Sequence, residues 1–224
     1  MAGGRITLEE LKGWLREFAR LIAEHRAQLS ELDAAIGDGD HGTNMDRGMQ
    51  AVVAGMSGET IGDLVKQAGM TLVSTVGGAS GPLYGTFFLR FATTAGGVTE
   101  LDARQFAAAM RAGLDGVVAR GKGEPEDKTM FDALAPAVAA LEQGSAVLRD
   151  TLDAAADAAD KGRDATIEML ARKGRASYLG ERSTGHQDPG ATSTALLITA
   201  AVTALGELPE PVGSAGGTDG TTAR

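Results

Sequence analysis

Apolar residues recur at the spacing of an α-helix in eight segments of this 224-residue chain, and this periodicity limits its fold more than any other feature. The first segment begins with a capping-box pattern at Thr7 and Glu10 and extends to about residue 30. The others are 43–56, 60–76, 81–95, 102–119, 129–143, 147–173 and 189–206. The last has the composition of a buried strand, but Asp188 as an N-cap and Pro189 at the first helical position favour a helix. The sequence therefore predicts an all-α protein.

The length and composition favour one domain with a core of mostly small apolar side chains. Aromatic residues make up only 4% of the chain, which suits closely packed helices, and Trp14 and Phe18 fall on the apolar face of the first helix. After residue 206 the composition changes to a stretch rich in proline, glycine and threonine without apolar periodicity. We therefore expect one domain over residues 1–206 and a disordered tail over residues 207–224.

The formal net charge of −9 at pH 7 disfavours non-specific binding to nucleic acid. The chain has no cysteine, so neither a disulfide framework nor a thiolate metal site can form. The N-terminus lacks the uninterrupted apolar core of a signal peptide, and no stretch is long and apolar enough to span a bilayer. We expect a soluble, cytoplasmic protein that binds neither nucleic acid nor a membrane.

Glycine and charged residues are concentrated in every second connection between the predicted helices. Short connections favour an antiparallel up-and-down arrangement, which brings alternate connections to the same end. The four unusual connections are GDGDHGTN, GGASGPLYG, ARGKGEPEDKTM and GRASYLGERSTGHQDPG. Each precedes a helix whose first N–H groups and positive dipole end favour an anion. The sequence thus predicts a site for a phosphate-bearing ligand, which the backbone at Gly42, Gly81 and Gly190 could approach closely.

Three aspartates, Asp33, Asp38 and Asp40, stand close together in LDAAIGDGDHG, where their carboxylates repel one another. Either the loop is a solvated turn that caps the next helix, or a cation binds among the carboxylates. Oxygen ligands without cysteine or a histidine pair select Mg²⁺, Mn²⁺ or Ca²⁺ over zinc. The EF-hand pattern fails, because Gly42 stands where that loop needs an oxygen ligand. Mg²⁺ suits a site beside phosphates, because it commonly shares its shell with them.

The other polar residues of these loops each allow two interpretations. His41 is either an exposed or cap-forming side chain or a contact to phosphate. Thr43 and Asn44, taken alone, are more typical of helix caps. Ser80 is either an ordinary N-cap or part of a phosphate-binding turn with Gly81.

In the other two unusual connections, Lys128 and Arg175 could supply positive charge to phosphates, and Met130 could supply an apolar surface for a base. Each residue taken singly is more often a solvated charge or a core side chain.

Together the four loops resemble those of the ADP-binding L subunits of dihydroxyacetone kinases that depend on the phosphotransferase system, and of the related L domain of ATP-dependent dihydroxyacetone kinases. The matching stretches are LDAAIGDGDHGTNMDRG, VGGASGPLYGTFF, GKGEPEDKTMFDAL and ARKGRASYLGERSTGHQDPGATS. They cover most of the chain from residue 30 to about residue 195. The resemblance implies an eight-helix antiparallel barrel with the nucleotide at one end.

The resemblance also implies a role for each matched residue. Asp33, Asp38 and Asp40 would hold two Mg²⁺ ions that bridge the phosphates of ADP or ATP. The residues that would line the phosphates and neighbouring ligand groups are His41, Gly42, Thr43, Asn44, Ser80, Gly81 and Gly121. Those that would complete the nucleotide pocket are Met130, Arg175, Asp188, Pro189 and Gly190.

Two partners follow from the same resemblance. A K subunit would bind the ketose and supply the covalent histidine and the acid and base groups, so no catalytic residue is expected on this chain. An M subunit would recharge bound ADP to ATP from a phosphohistidine. The absence of a K domain favours this separate-subunit form over the ATP-dependent form, in which the two domains are usually fused. Two copies of this chain could also form a homodimer.

Two other classes of function compete with this hypothesis. A stand-alone Mg²⁺-dependent nucleotide hydrolase would turn over free nucleotide without a partner, but the sequence shows no obvious general base. A non-catalytic nucleotide-sensing module would regulate a partner by docking, which the intact metal-binding aspartates disfavour.

Overall fold

The computed structural model describes residues 5–144 and 147–206, and the predicted tail lies outside these residues. The α-helices in the described part are α1 (Leu8–Glu24), α2 (Arg26–Ile36), α3 (His41–Gly55), α4 (Ile61–Thr75), α5 (Ser80–Ala95), α6 (Ala103–Gly121), α7 (Met130–Glu142), α8 (Leu148–Ala165) and α9 (Pro189–Leu205). A 3-10 helix spans Arg175–Ser183, and two short strands are β1 (Ile6–Thr7) and β2 (Glu100–Leu101). The predicted all-α class is confirmed.

Eight of these helices form a closed ring of packing contacts. Each of α3 to α8 packs against the next helix in the chain, α9 packs against α1, and α1 packs against α3. Helix α2 lies beside this ring and contacts α3, α9 and the 3-10 helix. The predicted antiparallel barrel of eight helices stays a prediction, and the described residues include a ninth helix, α2, which the sequence did not separate from α1.

A two-stranded sheet joins the start of α1 to the connection after α5. β1 pairs antiparallel with β2, and the buried side chains of Ile6 and Leu101 lie on paired residues. The same connection accepts a hydrogen bond from the start of α4, where Ile61 N donates to Val98 O at 2.8 Å. The sequence did not predict these strands, because two residues are too few to show alternation.

The first helix is shorter than predicted. It ends at Glu24, and α2 follows from Arg26 as a separate helix. His25 lies between them with φ −93° and ψ 8°, outside helical geometry. Helix α2 buries only Leu29 and Ile36, which is too few to show a helical period in the sequence. This second helix carries Asp33 to the aspartate loop.

Helix α8 also ends earlier than predicted, at Ala165 rather than near residue 173. The Thr166 hydroxyl donates to Arg163 O at 2.5 Å and accepts from Asp188 N at 3.0 Å. These bonds tie the end of α8 to the start of α9, so the intervening chain must turn back. Part of that chain forms the 3-10 helix, where the sequence predicted a loop.

The core is centred on the aromatic side chains of α1, α5 and α6. The Trp14 ring lies 5.7 Å from Phe106 and 6.0 Å from both Phe88 and Phe91, measured between centroids. Its indole N–H donates to Leu197 O at 2.9 Å, which satisfies the one polar atom of this buried side chain. The predicted core positions of Trp14 and Phe18 are confirmed. Within residues 5–144 and 147–206, every helix is too short or too polar to serve as a membrane span.

Candidate functional site

A cavity of about 460 Å³ opens at one end of the ring, where the four unusual connections meet. Its volume lies within the range of about 300–1,000 Å³ that is typical of small-molecule sites. The cavity is lined from residues 33–44, 77–84, 117–131 and 173–190. The prediction that these connections share one end is therefore confirmed.

Four helices begin at this cavity. They are α3, α5, α7 and α9, and the residue preceding each of them lies on the cavity wall. The first N–H groups of a helix and the positive end of its dipole attract anions. Because four such ends surround one volume, the cavity is suited to a ligand that carries several negative charges.

One part of the cavity wall is apolar. The side chains that form it are Leu83, Val117, Val118, Met130 and Phe131. Met130 is buried at the first position of α7, so its placement is set by the helix start. An apolar wall beside anion-attracting helix ends suits a ligand with a flat organic group and a charged tail.

Asp33, Asp38 and Asp40 come together at the mouth of the cavity. Each offers one carboxylate oxygen, and these oxygens lie within 4.8 Å of one another. Asp33 Oδ2 also accepts hydrogen bonds from Asp40 N at 2.8 Å and His41 N at 3.1 Å, which fixes its orientation at the start of α3. Asp40 occupies the N-cap position, but its side chain makes no capping bond. Asp40 therefore does not cap α3 with its side chain. The three carboxylate oxygens are ligands of the type that a hard divalent cation such as Mg²⁺ prefers.

Arg175 faces the aspartates from the 3-10 helix. Its Nη2 lies 3.0 Å from Asp38 Oδ2, and both side chains are exposed to solvent. An exposed ion pair of this kind contributes about 1 kcal/mol at most to stability. Its main consequence is positional, because it holds a guanidinium on the cavity wall next to the carboxylates.

His41 is buried at the start of α3 and both of its ring nitrogens meet hydroxyl groups. Nε2 lies 2.9 Å from Ser193 Oγ, and Nδ1 lies 3.1 Å from Ser80 Oγ. Burial lowers the pKa of His41 from its usual value, although the nearby carboxylates of Asp33 and Asp40 oppose the shift. The imidazole is therefore neutral at pH 7, and the interpretation of His41 as an exposed side chain was wrong. Because a neutral imidazole has one donor and one acceptor, the ring links the two hydroxyls.

This hydrogen-bonded chain continues into the core. Tyr84 OH lies 2.8 Å from Ser193 Oγ and 3.1 Å from Thr194 Oγ1. Burial raises the pKa of Tyr84 to about 12, so the phenol stays protonated. Sequence reasoning missed Tyr84, Ser193 and Thr194, although polar residues in an apolar helix are a signal that could have found them, because they need partners when buried.

Ser80 differs from its predicted role as an N-cap. Ala79 holds that position, and Ser80 is the first residue of α5. Its hydroxyl lies on the cavity wall beside His41, within reach of a bound group.

Asp188 caps α9 and borders the cavity. Its Oδ2 accepts from Ala191 N at 2.7 Å, which confirms the predicted cap. Burial raises the pKa of Asp188 to about 7, and the carboxylate of Asp132 adds to the effect, while the bond from Ala191 opposes it. Asp132, in the first turn of α7, has a raised pKa for the same main reason.

All but three of the residues predicted from the sequence line the cavity. Those that do are Asp33, Asp38, Asp40, His41, Asn44, Ser80, Gly121, Met130, Arg175, Asp188, Pro189 and Gly190, whereas Gly42, Thr43 and Gly81 do not. A Cβ at Gly42 would overlap Arg26 O, and one at Gly81 would overlap Val76 O. The predicted reason for these two glycines was wrong, because the space that the missing side chains leave is filled by protein backbone.

Lys128 is buried at the cavity wall, whereas the sequence left it as a solvated charge, a core side chain or a source of charge for phosphate. Its ammonium instead donates to Ser183 O at 2.6 Å and Met169 O at 3.1 Å, with Ile167 O at 3.5 Å. An ammonium has three N–H groups, and here they face these three carbonyl oxygens. Lys128 therefore has no free N–H for a phosphate in this arrangement.

Comparison with known proteins agrees with this arrangement. Residues 35–203 match the model of the DAK2 domain. The chain is 46% identical over 195 residues to the ADP-binding subunit DhaL of the PEP-dependent dihydroxyacetone kinase of Escherichia coli K12, covering 84% of this chain and 93% of that subunit. It is 33% identical over 213 residues to L-erythrulose 1-kinase of Mycolicibacterium smegmatis, covering 88% of this chain and 36% of that enzyme.

Among solved structures, the dihydroxyacetone kinase of C. freundii in complex with AMP-PNP and Mg²⁺ has a similar fold. The TM-score is 0.66 at 24% identity, and the match covers 86% of this chain and 33% of that one. The family model and the bacterial subunit both match most of the length of this chain. The chain therefore belongs to the DAK2 domain family, as an L-subunit relative of the dihydroxyacetone kinases.

Proposed function

We propose that this chain is the nucleotide-binding phosphotransferase subunit of a PEP-dependent dihydroxyacetone kinase. The subunit holds a nucleotide with Mg²⁺ and presents its terminal phosphoryl group to dihydroxyacetone on a K subunit. The observation that carries the proposal is the meeting of three aspartates, four helix starts and an apolar wall around one cavity. The proposed domain comprises residues 1–206.

The proposed metal-binding group at the edge of the nucleotide site consists of Asp33, Asp38 and Asp40. In the proposal these carboxylates hold two Mg²⁺ ions, which neutralise phosphate charge. Support comes from the oxygen-only donor set and from the spacing of the three oxygens within 4.8 Å. Asp33 is oriented by the backbone at the start of α3, so this side chain loses little freedom on binding a cation.

The anion-binding half consists of the helix starts and the hydroxyl of Ser80. In the proposal the phosphates lie against the starts of α3 and α5, with His41, Asn44, Ser80 and Gly121 of the cavity wall around them. The Ser80 hydroxyl can donate to a phosphate oxygen while accepting from His41 Nδ1–H. That polarity requires Nε2 to accept from the Ser193 hydroxyl at 2.9 Å, in place of the bond that this hydroxyl makes to Gly190 O at 3.1 Å.

The nucleoside half lies against the apolar wall. We assign the base to the surface near Met130 and Phe131, with the turn Asp188-Pro189-Gly190 and Arg175 completing the pocket. The apolar wall favours the base over a second charged group, because burying a charge there would be costly.

Phosphoryl transfer requires mainly positioning and charge neutralisation, so this chain needs no nucleophile of its own. In the proposal the K subunit supplies the ketose and its acid and base groups, and the phosphohistidine of an M subunit recharges bound ADP to ATP. The Escherichia coli relative is named as an ADP-binding subunit of a PEP-dependent kinase, which supports this division of labour. The proposal retains the cytoplasmic location expected from the sequence.

A related alternative is an L subunit that serves an ATP-dependent kinase of dihydroxyacetone or another short ketose. The 33% identity to an L-erythrulose 1-kinase favours keeping this alternative. The two forms differ in how the nucleotide is handled, because the coenzyme form retains ADP whereas the ATP-dependent form exchanges it.

The nucleotide released from the purified protein on denaturation separates these forms. We expect chromatography and mass spectrometry to find ADP in near-stoichiometric amount. An empty protein that binds and exchanges ATP would support the ATP-dependent alternative instead. No affinity for either nucleotide in the presence of Mg²⁺ would contradict both forms.

A further inference from the structure

Lys128 has an unusual environment for a lysine. Its relative exposure is 1%, and all the hydrogen-bond partners described for its ammonium are main-chain carbonyl oxygens. Burying an ammonium group is costly unless its donors are satisfied. The three carbonyls satisfy them, so the ammonium is a structural tie with no N–H left for a ligand.

The three carbonyls belong to both ends of one segment. Ile167 and Met169 precede the 3-10 helix, and Ser183 is its last residue. The two ends are also joined directly, because Gly185 N donates to Ile167 O at 2.7 Å and Ala171 N donates to Ser183 Oγ at 3.0 Å. Lys128 therefore lies where segment 167–185 closes on itself.

This segment forms one side of the cavity. Lys173, Gly174, Arg175 and Ala176 all line it, and Arg175 reaches Asp38 on the opposite loop. A displacement of segment 167–185 would therefore move both the wall and the guanidinium that faces the aspartates.

The loop that carries Lys128 makes a second tie to the same segment. Asp127 O accepts from Arg172 N at 3.1 Å, and Asp127 Oδ2 lies 3.8 Å from Lys173 Nζ. Lys128 itself has a φ of 62°, in the left-handed region that costs a non-glycine residue about 1–2 kcal/mol. The contacts of Asp127 and Lys128 offset this strain, so loop and segment stabilise each other.

We propose that Lys128 is a positioning residue for the nucleotide site. Its ammonium holds segment 167–185 against the cavity, and nucleotide affinity depends on that tie rather than on a bond from Lys128 to phosphate. The inference rests on the proposed function, since it assumes that the cavity binds a nucleotide.

The absence of cysteine from the chain allows the ammonium to be removed and restored chemically. Lys128→Cys is alkylated in denaturant and refolded. 2-Bromoethylamine restores an ammonium at the lysine length, and 1-iodopropane gives a neutral side chain of the same length. Lys122→Cys with the same two treatments is the matched control, because Lys122 lies in the same loop, has a φ of 51° and is exposed. The parent protein is refolded in parallel.

Two quantities are measured for each protein. Hydrogen exchange of peptides within 167–185 is followed without nucleotide, and ADP affinity is measured with Mg²⁺. We expect the propyl derivative at position 128 to exchange faster in this segment and to bind ADP about tenfold more weakly or worse, while the aminoethyl derivative recovers both properties. The two derivatives at position 122 should behave alike.

Two results would overturn the proposal. One is weaker ADP binding with unchanged exchange in 167–185, which would indicate direct contact with the ligand. The other is faster exchange with unchanged ADP affinity, which would leave the tie without a role in binding. If the parent protein purified without denaturation fails to bind ADP with Mg²⁺, the proposed function fails, and its hydrogen exchange compared with that of Lys128→Met still tests the tie. Lys128→Met can be purified without denaturation, so it tests the proposal even if the alkylated proteins do not refold. It should show the same faster exchange in 167–185 and the same weaker ADP binding as the propyl derivative.

Discussion

Arg175 Nη2 lies 3.0 Å from Asp38 Oδ2, and this ion pair joins the 3-10 helix to the aspartate loop at the mouth of the cavity. The two groups come from parts of the chain that are distant in sequence, and their side chains are 67% and 36% exposed, respectively. A cation bound at the aspartates would share Asp38 with the guanidinium. Arg175 is thereby held next to the position where, in our account, phosphate charge accumulates.

Replacing this arginine tests that arrangement. We expect Arg175→Gln to weaken ADP binding by about three- to tenfold, because one partly exposed positive charge beside the phosphates is lost. The Mg²⁺ dependence of binding should remain. Isothermal titration measures both, with Arg172→Gln as the control, since Arg172 is exposed and does not line the cavity. Equal affinities for the two variants would refute the assignment of Arg175.

Asp38→Asn tests the metal assignment while keeping the size of the side chain. We expect Mg²⁺-dependent nucleotide binding to fall by at least about a hundredfold, because a charged oxygen ligand is replaced by a neutral amide. Asp46→Asn is the matched control, since Asp46 lies on α3 away from the cavity wall. Nucleotide retained by Asp38→Asn at the parental level would show that the metal assignment is wrong.

Ser193→Ala tests the buried hydrogen-bonded chain. His41 Nε2 and Tyr84 OH both lose a partner, and we expect the free energy of unfolding to fall by about 1–3 kcal/mol. Denaturant unfolding measures the change. Thr199→Ala is a control on the same helix, because its hydroxyl bonds only the preceding turn at Ala195 O. The account predicts a change of about 0.5 kcal/mol or less for that control.

Gly42→Ala tests why glycine stands at the start of α3. The added methyl group would overlap Arg26 O and crowd Ser30, so we expect a loss of about 1–3 kcal/mol in stability. Gly13→Ala should instead stabilise the protein by up to about 1 kcal/mol, because it lies within α1 and its Cβ would be 3.8 Å from the nearest side chain. Thermal unfolding of both variants provides the comparison, and equal shifts in the same direction would argue against it.

The raised pKa of Asp188 predicts a pH dependence of stability. The unfolded side chain loses its proton near pH 3.8, whereas the folded one keeps it until about pH 7. The native state therefore binds more protons in this interval, and this residue lowers the free energy of unfolding as pH rises, by at most about 1.4 kcal/mol per pH unit.

Asp188→Asn removes this titration and retains a residue that caps helices well. We expect the variant to gain stability relative to the parent between pH 4 and pH 7 and the difference to level off above pH 7, in denaturant unfolding without Mg²⁺ or nucleotide. Asp132 titrates in both proteins and interacts with Asp188, so the difference between the two curves reports the titration of the pair. Parallel stability curves would exclude a strongly raised pKa at Asp188.

Local signals in the sequence were sufficient for much of the site. Asp33, Asp38 and Asp40 lie within one short stretch, and the helix starts carry cap and proline signals at Asp188 and Pro189. Short antiparallel connections then placed the four loops at one end. The placement of these residues around one cavity could be predicted because it depends on neighbouring residues and on one simple rule of helix connection.

Other features depend on contacts between distant residues, so no local pattern identifies which side chains meet. Tyr84 and Ser193 meet across 109 positions, and Lys128 reaches Ser183 across 55. The sequence therefore left open whether Lys128 contacts a ligand or is a solvated or core side chain. The break at His25 was missed because the buried side chains of α2 are too few to mark a separate helix.

A crystal structure of the protein with ADP and Mn²⁺ tests the central claim most directly, because anomalous scattering locates the metal and the density locates the nucleotide. The account predicts two metal peaks at coordination distance from Asp33, Asp38 and Asp40. It also predicts phosphates against the starts of α3 and α5, with the base on the apolar wall near Met130. Bound ADP with no metal at these carboxylates, or ADP outside this cavity, would contradict the account.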